Sequence, residues 1–190
     1  MLNRAFPIFA NMQHSNKMEK DNSEKLPAEI RPLKPATISY IKQELKTRPS
    51  EELLELCLRM ARFKKENKEL LTYLLFDAHN EPDYLKLVKG EMDRQFAEIN
   101  TTTIYFVKKS VRKILRTTQK YIRYSGQKQT ETDLLLHFCR QMKSLSWYMN
   151  HSAALHNIYI RQVQKIEKTL DSLHEDLQFD YQKEVDALRG

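Results

Sequence analysis

Residues 104–124 read IYFVKKSVRKILRTTQKYIRY. At about 100° per residue, Ile104, Val107, Val111, Ile114, Leu115, Thr118 and Ile122 fall within an arc of about 100°. That is the buried face of a surface helix, and no alternation of period two competes with it. Lys109, Arg112, Lys113, Arg116, Lys120 and Arg123 fall within an arc of similar width on the other side, so the helix carries a continuous basic stripe. No Asp or Glu stands three or four positions away within the segment, and like charges at that spacing repel by a few tenths of a kcal/mol per pair. Folding alone does not call for such a stripe. Phe106 and Tyr124 border it, and aromatic faces beside cations stack bases in single-strand nucleic-acid sites.

The stripe accounts for the charge of the whole chain. The formal net charge is +7, while residues 99–130 hold eight Lys/Arg and no Asp or Glu, so the remaining residues sum to 7 − 8 = −1. Concentrated charge raises the local potential enough to attract a polyanion or an acidic protein surface. The expected partner-binding residues are Lys109, Arg112, Lys113, Arg116, Lys120, Arg123 and Tyr124, and the expected partner is an acidic protein or a nucleic acid. The structural alternative is that Glu91, Asp93 and Glu98, or Asp171, Glu175 and Asp176, pack beside the stripe and neutralise it.

Outward from this segment the helical reading extends in both directions. All six prolines lie at or before Pro82, and the chain has three glycines. The last 108 residues therefore lack the residue that most strongly breaks helices. Thr37 is expected to cap a helix running from Ile38 to about Thr47, and Ser50 one through Leu53, Leu54, Cys57, Leu58 and Ala61. Asn67 opens a third to about His79, and Pro82 suits the first turn of a fourth reaching about Ile99. The basic helix stops at Gly126, a candidate left-handed cap, and a sixth helix starts at Thr130 with Leu134, Leu135, Phe138, Cys139 and Met142.

Beyond Asn150 the apolar positions Tyr159, Val163, Ile166, Leu170, Leu173 and Leu177 follow a heptad spacing of 4, 3, 4, 3, 4, and Tyr181, Val185 and Leu188 continue it with a stutter. This predicts one long C-terminal helix, lying on the domain or pairing with a second copy as a short coiled coil. The expected organisation is an N-terminal tail over residues 1–36, a helical domain over 37–150 and the long helix over 151–190. Short loops make sequential helices antiparallel, so the fold class is all-α, an irregular bundle of helical hairpins. Ser50-Glu-Glu-Leu-Leu-Glu-Leu-Cys57 and Thr130-Glu-Thr-Asp-Leu-Leu-Leu-His137 resemble each other weakly, which keeps a solenoid-like stacking second to the bundle.

Scarce glycine also excludes function classes. There is no G-x-G-x-x-G, no phosphate-binding G-x-x-x-x-G-K-[ST] and no G-x-S-x-G elbow. Cys57 and Cys139 form no C-x-x-C, and both are expected to be reduced and to face a core. His151 and His156 are five apart, which splits them between helix faces, and Asp171 with His174 stands alone, so no metal or other cofactor is expected. His137 lies two positions from Cys139, on a different face, which argues against a catalytic dyad. No activity is expected. No apolar run approaches the ~18 residues of a membrane span, and Ala5 to Ala10 is too short and proline-broken for a signal core. These readings predict a cytoplasmic, non-catalytic interaction module.

Overall fold

The computed structural model describes residues 34–189, and every regular element among them is helical. The chain divides into two compact units, one reaching to Arg48 and one beginning at Pro49. In the first, α1 (Ile38–Lys46) opens at Thr37, whose Oγ1 accepts the Tyr40 N–H at 3.3 Å. Residues 1–33 of the expected tail lie outside the described residues.

The second unit holds α2 (Ser50–Phe63), α3 (Lys65–Thr72) with a π-helical continuation over Tyr73–Asp77, α4 (Glu81–Ala97), α5 (Ile104–Ser125), α6 (Lys128–Lys143), the short α7 (Ser146–Asn150), α8 (Ala153–Leu170) and α9 (Glu175–Arg189). α6 is its axis. Leu134, Leu135 and Leu136 are consecutive, so they point in three directions, and all three are buried together with Thr130, Phe138, Cys139 and Met142. A helix buried on several faces has to be surrounded, and α4, α5, α8 and α9 pack against this one.

Side-chain pairs fix the directions of the helices. Lys89 meets Asp133 at 3.0 Å, and the Phe96 and Phe138 rings lie 5.6 Å apart, so α4 runs parallel to α6. The Tyr84 hydroxyl donates to the Tyr121 carbonyl at 3.0 Å and Ser125 Oγ donates to Glu81, which makes α5 antiparallel to α4. Lys165 pairs with Glu131 at 2.7 Å near the start of α6, so α8 runs antiparallel to it. Tyr181 reaches Asp133 at 2.7 Å, Arg140 pairs with Glu184, and Lys143 donates to the Ala187 carbonyl at 2.6 Å, so α9 returns parallel to α6. The all-α class and the antiparallel hairpins expected from the sequence are both present.

The single long C-terminal helix is corrected. It ends at Leu170, and residues 171–174 turn the chain back. Ser172 Oγ donates to the Thr169 carbonyl at 2.6 Å, and the Leu173 N–H bonds to the Leu170 carbonyl at 2.9 Å, closing the last turn locally. Short polar side chains compete with the helix ladder in this way. The reversal also resolves the stutter: Tyr159, Val163, Ile166 and Leu170 on α8 and Tyr181, Val185 and Leu188 on α9 are all buried inside this chain. The Tyr159 hydroxyl closes the hairpin by donating to the Leu188 carbonyl at 2.6 Å.

Cys57 is corrected as well. It is exposed, and no residue of α2 is fully buried. From Phe63 through Cys57 to Leu58 the apolar residues of α2 span about 220° of its circumference, more than a neighbouring helix covers. Cys139 is fully buried, and burial pushes its thiol up to about 12.

Candidate functional site

α5 is positioned by both its ends and its face. Thr103 Oγ1 accepts the Phe106 N–H at 3.4 Å, and at the far end Gly126 takes φ 66° and returns its N–H to the Ile122 carbonyl at 2.9 Å. A side chain at that left-handed position costs roughly 1–2 kcal/mol. Val107, Val111, Ile114, Thr118 and Ile122 are buried, as the periodicity required. The hydroxyl of Thr118 spends its hydrogen on the Ile114 carbonyl at 3.0 Å, so it enters the core without an orphaned donor.

With that face fixed, the cations point away from the core, and the structure divides them. Lys109, Arg112, Lys113, Arg116 and Arg123 are exposed and make no ion pair among the described residues. Lys120 and Tyr124 behave differently. Lys120 Nζ lies 2.6 Å from Glu69 Oε2 on α3, and the Tyr124 hydroxyl donates to the same oxygen at 2.9 Å. The Lys120 ammonium also stands over the Tyr121 ring, 4.9 Å from its centroid. Burial works to raise the Glu69 carboxyl, and the hydrogen bonds from Lys120 and Tyr124, with the charges of Lys120 and Lys65, outweigh it and hold the group below the ordinary carboxylate range. These two residues, expected to serve a partner, both engage Glu69 and tie α3 to α5.

Four of the six acidic residues expected to cover the stripe are engaged elsewhere. Glu91 and Glu98 hold Arg94 at 2.6 and 3.0 Å, Asp93 holds His137 at 2.5 Å, and Asp176 lies 3.4 Å from His174. Among the described residues none of these, nor Asp171 or Glu175, pairs with α5. The like charges along the stripe are left facing one another.

What the sequence did not reveal is the other wall. α5 and α8 flank α6, and between them runs a cleft of about 510 Å³ lined by Arg112, Leu115, Arg116 and Gln119 on one side and Ala154, Asn157, Ile158 and Arg161 on the other. A second stretch of about 540 Å³ continues it past Gln119 to Arg123, Lys128, Glu131 and Lys165. Arg161 is exposed and makes no ion pair among the described residues. Glu131 is the one carboxylate lining either stretch, and it stands between Lys165 at 2.7 Å and Lys128 at 3.7 Å, so the groove is basic over its whole length. Ile158, Arg161 and Lys165 follow one another at three and four residues along one stripe of α8. That spacing was legible, but which helix the stripe would face was not.

The groove has a third part. Tyr105, Lys108, Lys109, Arg112 and Arg116 line a depression of about 270 Å³ on the outer face of α5. Tyr105 takes the place that the sequence suggested for Tyr124, an open aromatic ring among cations. Phe106 is exposed too, with its ring centroid 5.5 Å from that of Tyr105.

Among the described residues no three His, Cys, Asp or Glu side chains gather to hold a metal ion, and no helix is long and apolar enough to cross a membrane. His137 is hydrogen-bonded to Asp93, away from the buried Cys139. The fold and the groove define an all-α bundle with a cleft between two of its helices lined mainly by cations. Compared with known proteins, the chain matches no family model, and no curated protein or solved structure is significantly similar to it.

Proposed function

We propose that this protein is a non-catalytic interaction module that takes an anionic macromolecule into the groove between α5 and α8. The observation that carries the reading is that Arg112, Arg116, Arg123 and Arg161 line one continuous cleft and make no ion pair among the described residues. Holding four guanidiniums together costs repulsion, which an anionic ligand would convert into charge-assisted hydrogen bonds. The floor of Leu115, Ile158 and Ala154 adds apolar contact beneath the cations, where reduced access of water strengthens each ion pair.

The test is retention on an anionic resin such as immobilised heparin. Wild-type protein should be retained and elute at elevated salt. A variant with Arg112, Arg116, Arg123 and Arg161 all changed to Gln should elute at much lower salt while keeping its helical circular-dichroism spectrum. Unchanged elution of a folded variant excludes the groove as the binding surface.

A further inference from the structure

We propose that the anion this groove receives is single-stranded nucleic acid, with Tyr105 as the residue on which a base stacks; the inference rests on the polyanion reading above and specifies its ligand. Three features separate a strand of nucleotides from an acidic protein segment. The first is Tyr105. The residue is 63% exposed and lines the same depression as Lys108, Lys109, Arg112 and Arg116. A carboxylate gains little from an open aromatic face, whereas a base stacked on one gains about 1–3 kcal/mol while its phosphates meet the neighbouring cations.

The second feature is the pair of amides, Gln119 on the α5 wall and Asn157 on the α8 wall, which line the cleft among the arginines. Each carries an acceptor oxygen as well as donors. Carboxylates use only donors, but base edges present both kinds of group, and RNA or DNA single strands expose them. The third is extent. From Lys108 to Arg123 the cations run over roughly 22 Å of helix at 1.5 Å per residue, with no carboxylate lining the groove before Glu131. A row of that length follows a phosphodiester backbone. A duplex would touch only the rims of a cleft of about 510 Å³, leaving the amides unused.

The experiment is fluorescence anisotropy on the full chain with three probes: labelled oligothymidylate, a duplex of mixed sequence, and labelled poly-glutamate. The variants are Tyr105→Ala, Tyr105→Phe and the triple Arg112→Gln, Arg116→Gln, Arg161→Gln, each checked by thermal melting. Oligothymidylate should bind best. Tyr105→Ala should weaken it by about 5- to 150-fold with an unchanged salt slope, since the slope counts phosphate contacts and not stacking. Tyr105→Phe should bind as wild type does. The triple variant should bind more weakly and show a shallower slope. Poly-glutamate or duplex binding as tightly as the single strand overturns the proposal, and so does Tyr105→Ala binding oligothymidylate as tightly as wild type. If poly-glutamate binds and the triple variant loses it while oligothymidylate never binds, the groove stands as an acidic-protein site and the nucleic-acid inference falls. If the triple variant weakens none of the probes, the groove reading itself fails.

Discussion

Glu69 shows how one residue settles the fate of two others. Its carboxylate takes Lys120 and Tyr124 out of the stripe and ties α3 to α5. Its folded-state pKa is depressed, so the clamp contributes stability above the ordinary carboxylate range and loses it as pH falls through the lowered folded value. Glu69→Gln should destabilise the protein by about 1–2 kcal/mol near neutrality. The gap between variant and wild type should close as pH falls through the lowered folded value of Glu69, where the wild-type carboxyl becomes protonated as well. Denaturant melts across that range check it; a gap independent of pH would mean that the ion pair contributes nothing.

Among the elements, the α8–α9 hairpin shows burial prevailing over helix continuity. Residues 151–189 contain no proline or glycine, and a straight helix of that length would have outrun the bundle. Turning back at residues 171–174 instead buries the apolar stripes of both halves. The distribution is uneven: Leu170 is 4% exposed, whereas Leu173, in the turn, is only partly buried. Leu170→Ala should therefore cost about 2–5 kcal/mol and Leu173→Ala clearly less. Thermal or urea melts of the two variants decide it. Equal losses would mean that Leu173 is packed as tightly as Leu170, as an unbroken seam requires.

At the scale of the molecule, charge and stability oppose each other along one surface. The stripe stands apart from the acidic residues of α4 and α9, which pair with Arg94, Arg140 and His137. Because its arginines face mostly one another, removing them should relieve repulsion. The variant with Arg112, Arg116, Arg123 and Arg161 changed to Gln should melt at the same temperature as wild type or higher, most visibly at low salt, where screening is weakest. A marked drop in melting temperature that salt does not alter would show that their aliphatic stems hold α5 to α8.

The sequence alone determined the all-helical class and the inner face of α5. Absence of proline after Pro82, a cap such as Thr37, and the left-handed position at Gly126 are local properties that act within a few residues. The apolar arc of α5 was equally legible, because a period near 3.6 names the buried side without reference to what covers it. The outer side of that helix lay beyond the sequence. Whether Lys120 is free depends on Glu69, 51 residues away, and whether Arg116 lines a groove depends on α8 lying across from it. The exposure of Cys57 depends on how little of α2 is covered. Each of these follows from which surfaces meet when the helices close around Leu134, Leu135 and Leu136, and that packing is chosen by the whole core at once, through contacts between residues far apart in the chain.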